Sequence, residues 1–442
     1  MSAKSFDSGS FKDASNRVFW KENKPFRIIH ENSRKSYKQL KNSNFFELAI
    51  EKEFLLDFEE ISGQPELVLA PKKIDWISYP YEWTPLQLKD AALFHLDFLT
   101  FCMDHEVMIK DATPFNLQFV GDRLIFIDHG SFEPISGDFS WKAYKQFCET
   151  FVAPLLLSKY HQTNGCLAFR TNLEGIPLSE TATQMPFRAL FDGLFFFHIR
   201  AHSKFNGPKK RLQPKEPKIG KAQTLKIIQH LKVCIEGLTF NRTKSNWTQY
   251  DQKLPYKPEE IEKKKAFIAS QLSSSKPRNI VDIGANHPQF LTLYPKGATC
   301  VLIDQDFQSV EVLYQKTKHL CLVQDITQPS PSLGLHLNER KSFFERIQAD
   351  LIIGLALVHH LFHVRNIPLE EIIKIFAQFK CDLLVEYVDV QDEQFQLISN
   401  PENQHPYSRE LFESCFTAHY LLMEKQEVKK HKRWVYHYQW KK

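Results

Sequence analysis

The stretch that most constrains the fold of this chain is Asn279-Ile-Val-Asp-Ile-Gly-Ala-Asn-His-Pro-Gln-Phe290, followed by Ala298-Thr-Cys-Val-Leu-Ile-Asp304. An apolar run closing on Asp282-Ile283-Gly284 reads as a strand buried on both faces that turns sharply into a helix. Cys300 to Ile303 read as a second such strand, closed by an acid. Two parallel strands of this kind make a nucleotide-binding half-fold. At the first turn a residue without a Cβ lets the backbone approach a ligand. At the second strand's end Asp304, 22 residues after Asp282, can accept both hydroxyls of a ribose. A nicotinamide cofactor is the weaker reading, because Gly284-Ala-Asn-His-Pro-Gln lacks the three glycines of a dinucleotide fingerprint.

The alternation continues with a helix over Gln308–Thr317, strands over Leu320–Val323 and Leu351–Ile353, a helix over Leu369–Phe379 and a strand over Leu383–Tyr387. Such alternation predicts a parallel sheet covered on both faces. Asp282-Ile-Gly-Ala-Asn286, Asp304, Gln324-Asp-Ile326, Ala349-Asp-Leu-Ile-Ile-Gly354 and Asp382-Leu-Leu-Val-Glu-Tyr387 occur in that order. From about Tyr250 to the C-terminus the chain thereby resembles the class I S-adenosylmethionine (SAM)-dependent methyltransferases. Asn286 and Pro288 stand where members often carry Gly. The resemblance implies a Rossmann-like α/β domain. It implies Asp282 near the methionine moiety, Gly284 giving backbone access, Asp304 on the ribose hydroxyls and Asp325 facing the adenine amino group, with Asn286 and Ile326 beside them.

Leu357-Val-His-His-Leu361 follows the fourth strand, at the edge where a transferable methyl would be presented. His359 or His360 would act there as base or acceptor-positioning donor, oriented by Glu386 at the end of the next strand. His359 and His363 stand at the i, i+4 spacing of a metal pair, but no third ligand has evident spacing. The long connection holding Pro329–Gly334 and Asn338–Phe343 is placed to form a substrate wall.

Upstream, Arg17–Trp20 and Pro25–His30 predict a hairpin, Asn44–Phe58 a helix and Ile74–Trp83 a strand. Thr84-Pro-Leu-Gln87 predicts a capping box opening a long buried helix. After it, Asp111, Asn116 and Asp128 match the spacing of a kinase catalytic loop and metal-binding acid. From Arg17 to Phe205 the chain resembles the aminoglycoside-phosphotransferase-like branch of kinases, an α+β fold. That resemblance implies Asp111 accepting a hydroxyl proton, and Asn116 and Asp128 holding the metal of a Mg²⁺-nucleotide. Before residue 63 the sequence offers Gly9 alone as a glycine, and Arg27 is the nearest basic candidate for a phosphate partner. The domain is therefore expected to be catalytically silent, its three residues serving a residual Mg²⁺-nucleotide site or an inert hydrogen-bonded turn. Together the halves resemble a bacterial family of methyltransferases with a kinase-like N-terminal region.

A chain of 442 residues predicts about two to three domains. The expected boundaries are a kinase-like domain at 1–205, a basic linker with a short helix at 206–250 and a methyltransferase domain at 251–442. Residues 204–232 hold nine Lys or Arg against Glu216, broken by three prolines and without interleaved aromatics; this reads as a solvated linker and disfavours nucleic acid without excluding it. Lys429, Lys430, Lys432 and Arg433 precede a strand at Trp434–Trp440 and read as charges guarding an exposed sheet edge. Eight cysteines with no C-x-x-C pair, no apolar signal core and no spanning run predict a cytoplasmic protein with no membrane partner. The function expected is methyl transfer from SAM to a small-molecule or macromolecular acceptor that no residue identifies. The competing readings are a non-catalytic nucleotide- or partner-binding protein and a small-molecule kinase using Asp111, Asn116 and Asp128.

Overall fold

The computed structural model describes residues 5–63, 66–205, 218–240, 256–286, 288–398, 400 and 402–442. The chain forms two compact units, one of residues 1–243 with 332–341, the other of 244–331 with 342–442.

The second unit is built on seven strands: β10 (Asn279–Ile283), β11 (Thr299–Asp304), β12 (Leu320–Val323), β13 (Leu351–Gly354), β14 (Asp382–Val388), β15 (Tyr420–Lys429) and β16 (Arg433–Trp440). Their order is β12-β11-β10-β13-β14-β16-β15. The first five are parallel, and the β15–β16 hairpin is added antiparallel to β14. Ile280, Val281, Val301 to Ile303 and Leu351 to Ile353 are buried, as strands covered on both faces require. Chain order reverses at β10, which lies between β11 and β13, so a crevice opens beyond the carboxyl ends of these strands. Helices Phe307–Lys316 and Leu369–Ala377 fall where the periodicity predicts them.

Strand β16 corrects one expectation. It is paired on both sides, and the edge is β15, whose Leu421 and Met423 are exposed. Most of the basic run before β16 answers to acids. Arg433 is fully buried and grips Asp392 through Nε and Nη2 at 2.9 and 2.7 Å, while Lys429 and Lys432 reach Glu393, each at 2.6 Å.

In the first unit β1 (Ser5–Phe6), β2 (Asn16–Lys21), β3 (Lys24–Ile29), β4 (Phe58–Ile61) and β5 (Leu67–Pro71) make an antiparallel sheet in the order β1-β2-β3-β5-β4. Two short hairpin-like pairs, β6 (Val107–Ile109) with β9 (Phe132–Pro134) and β7 (Leu117–Val120) with β8 (Arg123–Phe126), follow the long helix Pro85–Asp104. The predicted β2–β3 hairpin turns through Glu22 and Asn23 with φ of 51° and 59°. Thr84 caps the long helix as expected, its side chain accepting from the Gln87 amide.

Two predicted elements differ. The helix from Asn44 stops at Glu51, because Glu53 turns to φ 58° and the chain leaves to pair at β4. Ile74–Tyr79 is not a strand: the Ser78 N–H and C=O are taken by the Gln118 side chain, and a 3₁₀ turn follows at Pro80–Glu82. Ahead of Pro154 the chain makes a π-helical turn at Cys148–Val152, which runs straight into the helix Ala153–His161. Of the expected linker, residues 206–217 and 241–250 lie outside the described residues. Between them Lys221–Glu236 is a helix packed on Pro85–Asp104, with Lys89 Nζ donating to the carbonyls of Glu236 and Leu238.

Candidate functional site

The crevice at the carboxyl ends of β10, β11 and β13 is lined by Asp282, Gly284, Asn286, Asp304, Asp325 and Ile326, among others. The six residues expected to bind cofactor thus converge on one cavity. Gly284 holds φ 74°, and a Cβ added there would meet only Leu357, so the backbone angle rather than crowding calls for glycine. Its amide and that of Ala285 both donate to the Ile303 carbonyl, at 2.9 and 3.1 Å. The turn therefore offers a ligand close approach rather than free N–H groups.

The two strand-end acids are unusual. Asp282 is buried and accepts the Tyr294 hydroxyl at 2.5 Å. Burial pushes its carboxyl up to about 6, against the opposing pull of Tyr294 and Lys264. Asp304 accepts the Asp306 amide at 2.9 Å, and burial pushes it up to about 7. Asp325 closes its own turn, accepting from the amide and hydroxyl of Thr327 at 2.9 and 2.7 Å through Oδ1. Its Oδ2 pairs with Arg365 at 2.9 Å, and Arg365 also reaches Gln305 at 2.6 Å.

Of the predicted histidines, His360 lines the cavity and His359 does not. His359 is fully buried against the His360 ring at 4.3 Å, with neither ring nitrogen hydrogen-bonded. Burial, helped by Arg433, brings His360 down to about 4, so it is neutral near pH 7. Glu386 does not orient a histidine. Its Oε1 accepts the Tyr256 hydroxyl and its Oε2 pairs with Lys264 at 2.6 Å, with Arg433 3.8 Å away. Burial alone would raise this carboxyl, but Lys264 and Arg433 hold it below the usual range. The Tyr256 hydroxyl also accepts from Lys264 at 3.1 Å and Arg433 at 2.8 Å. Tyr256, Lys264 and Arg433 line the crevice, and sequence reasoning missed them: they come from a lone aromatic, one lysine in a run of three, and a basic cluster resembling surface.

The first unit holds a separate cavity of about 640 Å³, lined by Asp13, Arg27, Lys110, Asp111, Asn116 and Asp128, with Glu339 and Arg340 from the 332–341 segment. The expected substrate wall thus contributes, over these ten residues, to the first unit. Asp128 Oδ1 accepts from Arg27 at 2.6 Å and from the Gly130 amide at 3.1 Å; Arg27 also bonds Asn16, which bonds Asp13. Gly130 is required here because a Cβ would run into the Asn16 amide. Burial, with Asp128 adding repulsion, raises the carboxyls of Asp111 and Asp13. Among the described residues no three His, Cys, Asp or Glu side chains are grouped to hold a metal, and His363 packs on the Phe395 ring at 4.1 Å.

By fold this is a mixed α/β protein with a crevice at the switch point of a doubly wound sheet. No family model matches the chain. It is similar to nodulation protein NoeA of Rhizobium meliloti strain 1021, 28% identical over 97% of this chain and 95% of that one. Solved structures with partial likeness include the bifunctional kinase-methyltransferase WbdD, with 19% identity, 44% of this chain, 42% of that one and a TM-score of 0.29. Another is magnesium protoporphyrin IX methyltransferase from Synechocystis PCC 6803 with bound SAM, with 13% identity, 45% of this chain, 86% of that one and a TM-score of 0.29.

Proposed function

We propose that the second unit is a SAM-dependent methyltransferase. The observation that carries the reading is the convergence of Asp282, Gly284, Asp304 and Asp325 on one crevice. On one side of the switch point β10, β11 and β12 make a complete parallel βαβαβ half, whereas the other side has β13 and β14 alone in parallel before the antiparallel pair β16 and β15. That favours a ligand with a single nucleoside over a dinucleotide. Asp304 suits the ribose hydroxyls, Ile326 the flat face of the base, and Asp282 the cationic end of an amino acid. Asp325, tied to Thr327 and Arg365, keeps lone pairs for an exocyclic amine.

When bound, SAM supplies an electrophilic methyl on a sulfonium whose charge is lost on transfer. The chain's own part is alignment, exclusion of water and removal of a proton where the acceptor carries one. His360, on the cavity wall and neutral, is the candidate base. Glu386 acts through Lys264, Tyr256 and Arg433 as a positioning residue, and His359 as packing behind His360. Calorimetry of SAM and of its demethylated product against the wild-type chain and Asp304→Ala tests the site; equal affinity for both proteins would remove the assignment.

The first unit is read as kinase-like and catalytically silent, as its sequence suggests. Asp128, which a metal would need, is already engaged by Arg27 and Gly130. Labelled ATP with Mg²⁺, given to the wild type and to an Asp111→Ala, Asp128→Ala variant, is expected to yield no transfer or hydrolysis in either. Turnover abolished in the variant would promote the kinase reading.

A further inference from the structure

In the first unit a 3₁₀ turn at Phe187–Phe191 packs against a π-helical turn at Phe196–Ala201, and together they expose four phenylalanine rings. Phe187, Phe191, Phe196 and Phe197 are 77%, 84%, 43% and 56% exposed. The helix Lys221–Glu236 continues the patch. Its His230 meets the Phe197 ring at 5.5 Å, and Lys226 and exposed Val233 lie on the same helical face at i−4 and i+3. Folding leaves such rings in water only at a cost, so a contiguous set of them marks a surface with a partner.

The charge around the rings is positive. Arg188 lies beside Phe187, with its guanidinium over the Tyr160 ring at 5.5 Å; Arg200 closes the π-helical turn and Lys226 projects from the neighbouring helix. Asp192, the acid within the patch, is neutralised by Lys159 at 2.6 Å and bonded by Tyr160 at 2.9 Å.

We propose that this face adsorbs to an anionic lipid bilayer. Phe187 with Phe191 and Phe196 with Phe197 pack in pairs, at 6.1 and 5.2 Å, and stand out from the fold; the boundary between headgroups and acyl chains takes such rings without shape matching, and flanking cations select negative headgroups. Adsorption of this kind needs no spanning segment, and no helix among the described residues is long and apolar enough to be one.

The test is co-sedimentation of the full chain with vesicles of phosphatidylcholine alone and of phosphatidylcholine with one-quarter phosphatidylglycerol. Binding is expected only to the anionic vesicles and is expected to fall with added salt. Phe187→Ser with Phe191→Ser should weaken it about tenfold or more while the melting temperature stays within a degree or so, since the rings are already in water. No binding to anionic vesicles, or binding that the variant leaves unchanged, would overturn the proposal. So would wild-type chain that self-associates through these rings, seen as dimers lost in the variant without any vesicle binding.

Discussion

The two acids at the strand ends set what the crevice does with pH. Their ordinary values lie near 4, and burial has moved Asp282 to about 6 and Asp304 to about 7. A folded-state pKa raised above the unfolded one means that the group's contribution to stability is present at low pH and is lost as pH rises through 6 to 7. A ligand that donates to Asp304 and brings positive charge to Asp282 favours the ionised forms. SAM affinity is therefore expected to rise with pH from about 5 to 8 and then level, with proton release on binding measurable by calorimetry in buffers of different ionisation enthalpy. Asp304→Asn should flatten the upper part of that rise. Asp304→Ala is expected to cost about 1.5 to 3 kcal/mol of binding at pH 8, where the carboxylate is charged and its bonds to a ribose are strongest. Strand-end acids and a glycine were legible in the sequence because such sites depend on local backbone form. The shifts were not, since they depend on what packs around each carboxyl.

At the scale of elements, the strap of charges joining helix Pro258–Ser275 to β14 and β16 was hidden for a similar reason. Lys264, Glu386 and Arg433 are far apart in sequence, and two of them looked like something else: Glu386 a histidine's partner, Arg433 an edge guard. All three are buried, so removing one charge strands the others. Glu386→Leu is expected to destabilise the second unit by about 3 to 5 kcal/mol, whereas Lys264→Met combined with Glu386→Leu should recover much of that loss; urea unfolding of Glu386→Leu, Lys264→Met and the double variant measures the coupling. The histidine pair illustrates the limit of periodicity. Val358–His363 is a short helix, and adjacent positions on it point about 100° apart, so of two consecutive histidines one can face the crevice while its neighbour is packed beneath. The sequence named both; only packing chose.

Across the whole molecule, the basic, proline-broken stretch after Phe205 set the expected boundary, and nothing in it foretold the return of a chain segment to the earlier half. Charge and proline mark 206–217, while the helix after it belongs with the first unit. Limited trypsin digestion is expected to cut first at Lys209, Lys210, Arg211 or Lys215, giving two bands on a denaturing gel. The nicked first unit should stay together, because helix Lys221–Glu236 remains docked on Pro85–Asp104. Initial cleavage inside that helix would refute its docking.

Ser332–Lys341 gives the first unit a discontinuous sequence. Gly9 is pressed so closely to this segment that an added Cβ would stand 2.8 Å from the Glu339 carbonyl, and Arg340 lies over the Phe115 ring at 4.7 Å. During synthesis, then, the earlier half emerges without ten of its own residues and cannot complete its cavity wall until residues 244–331 of the later half have been made. A gene cut between the two would leave the first part without these ten residues of its own.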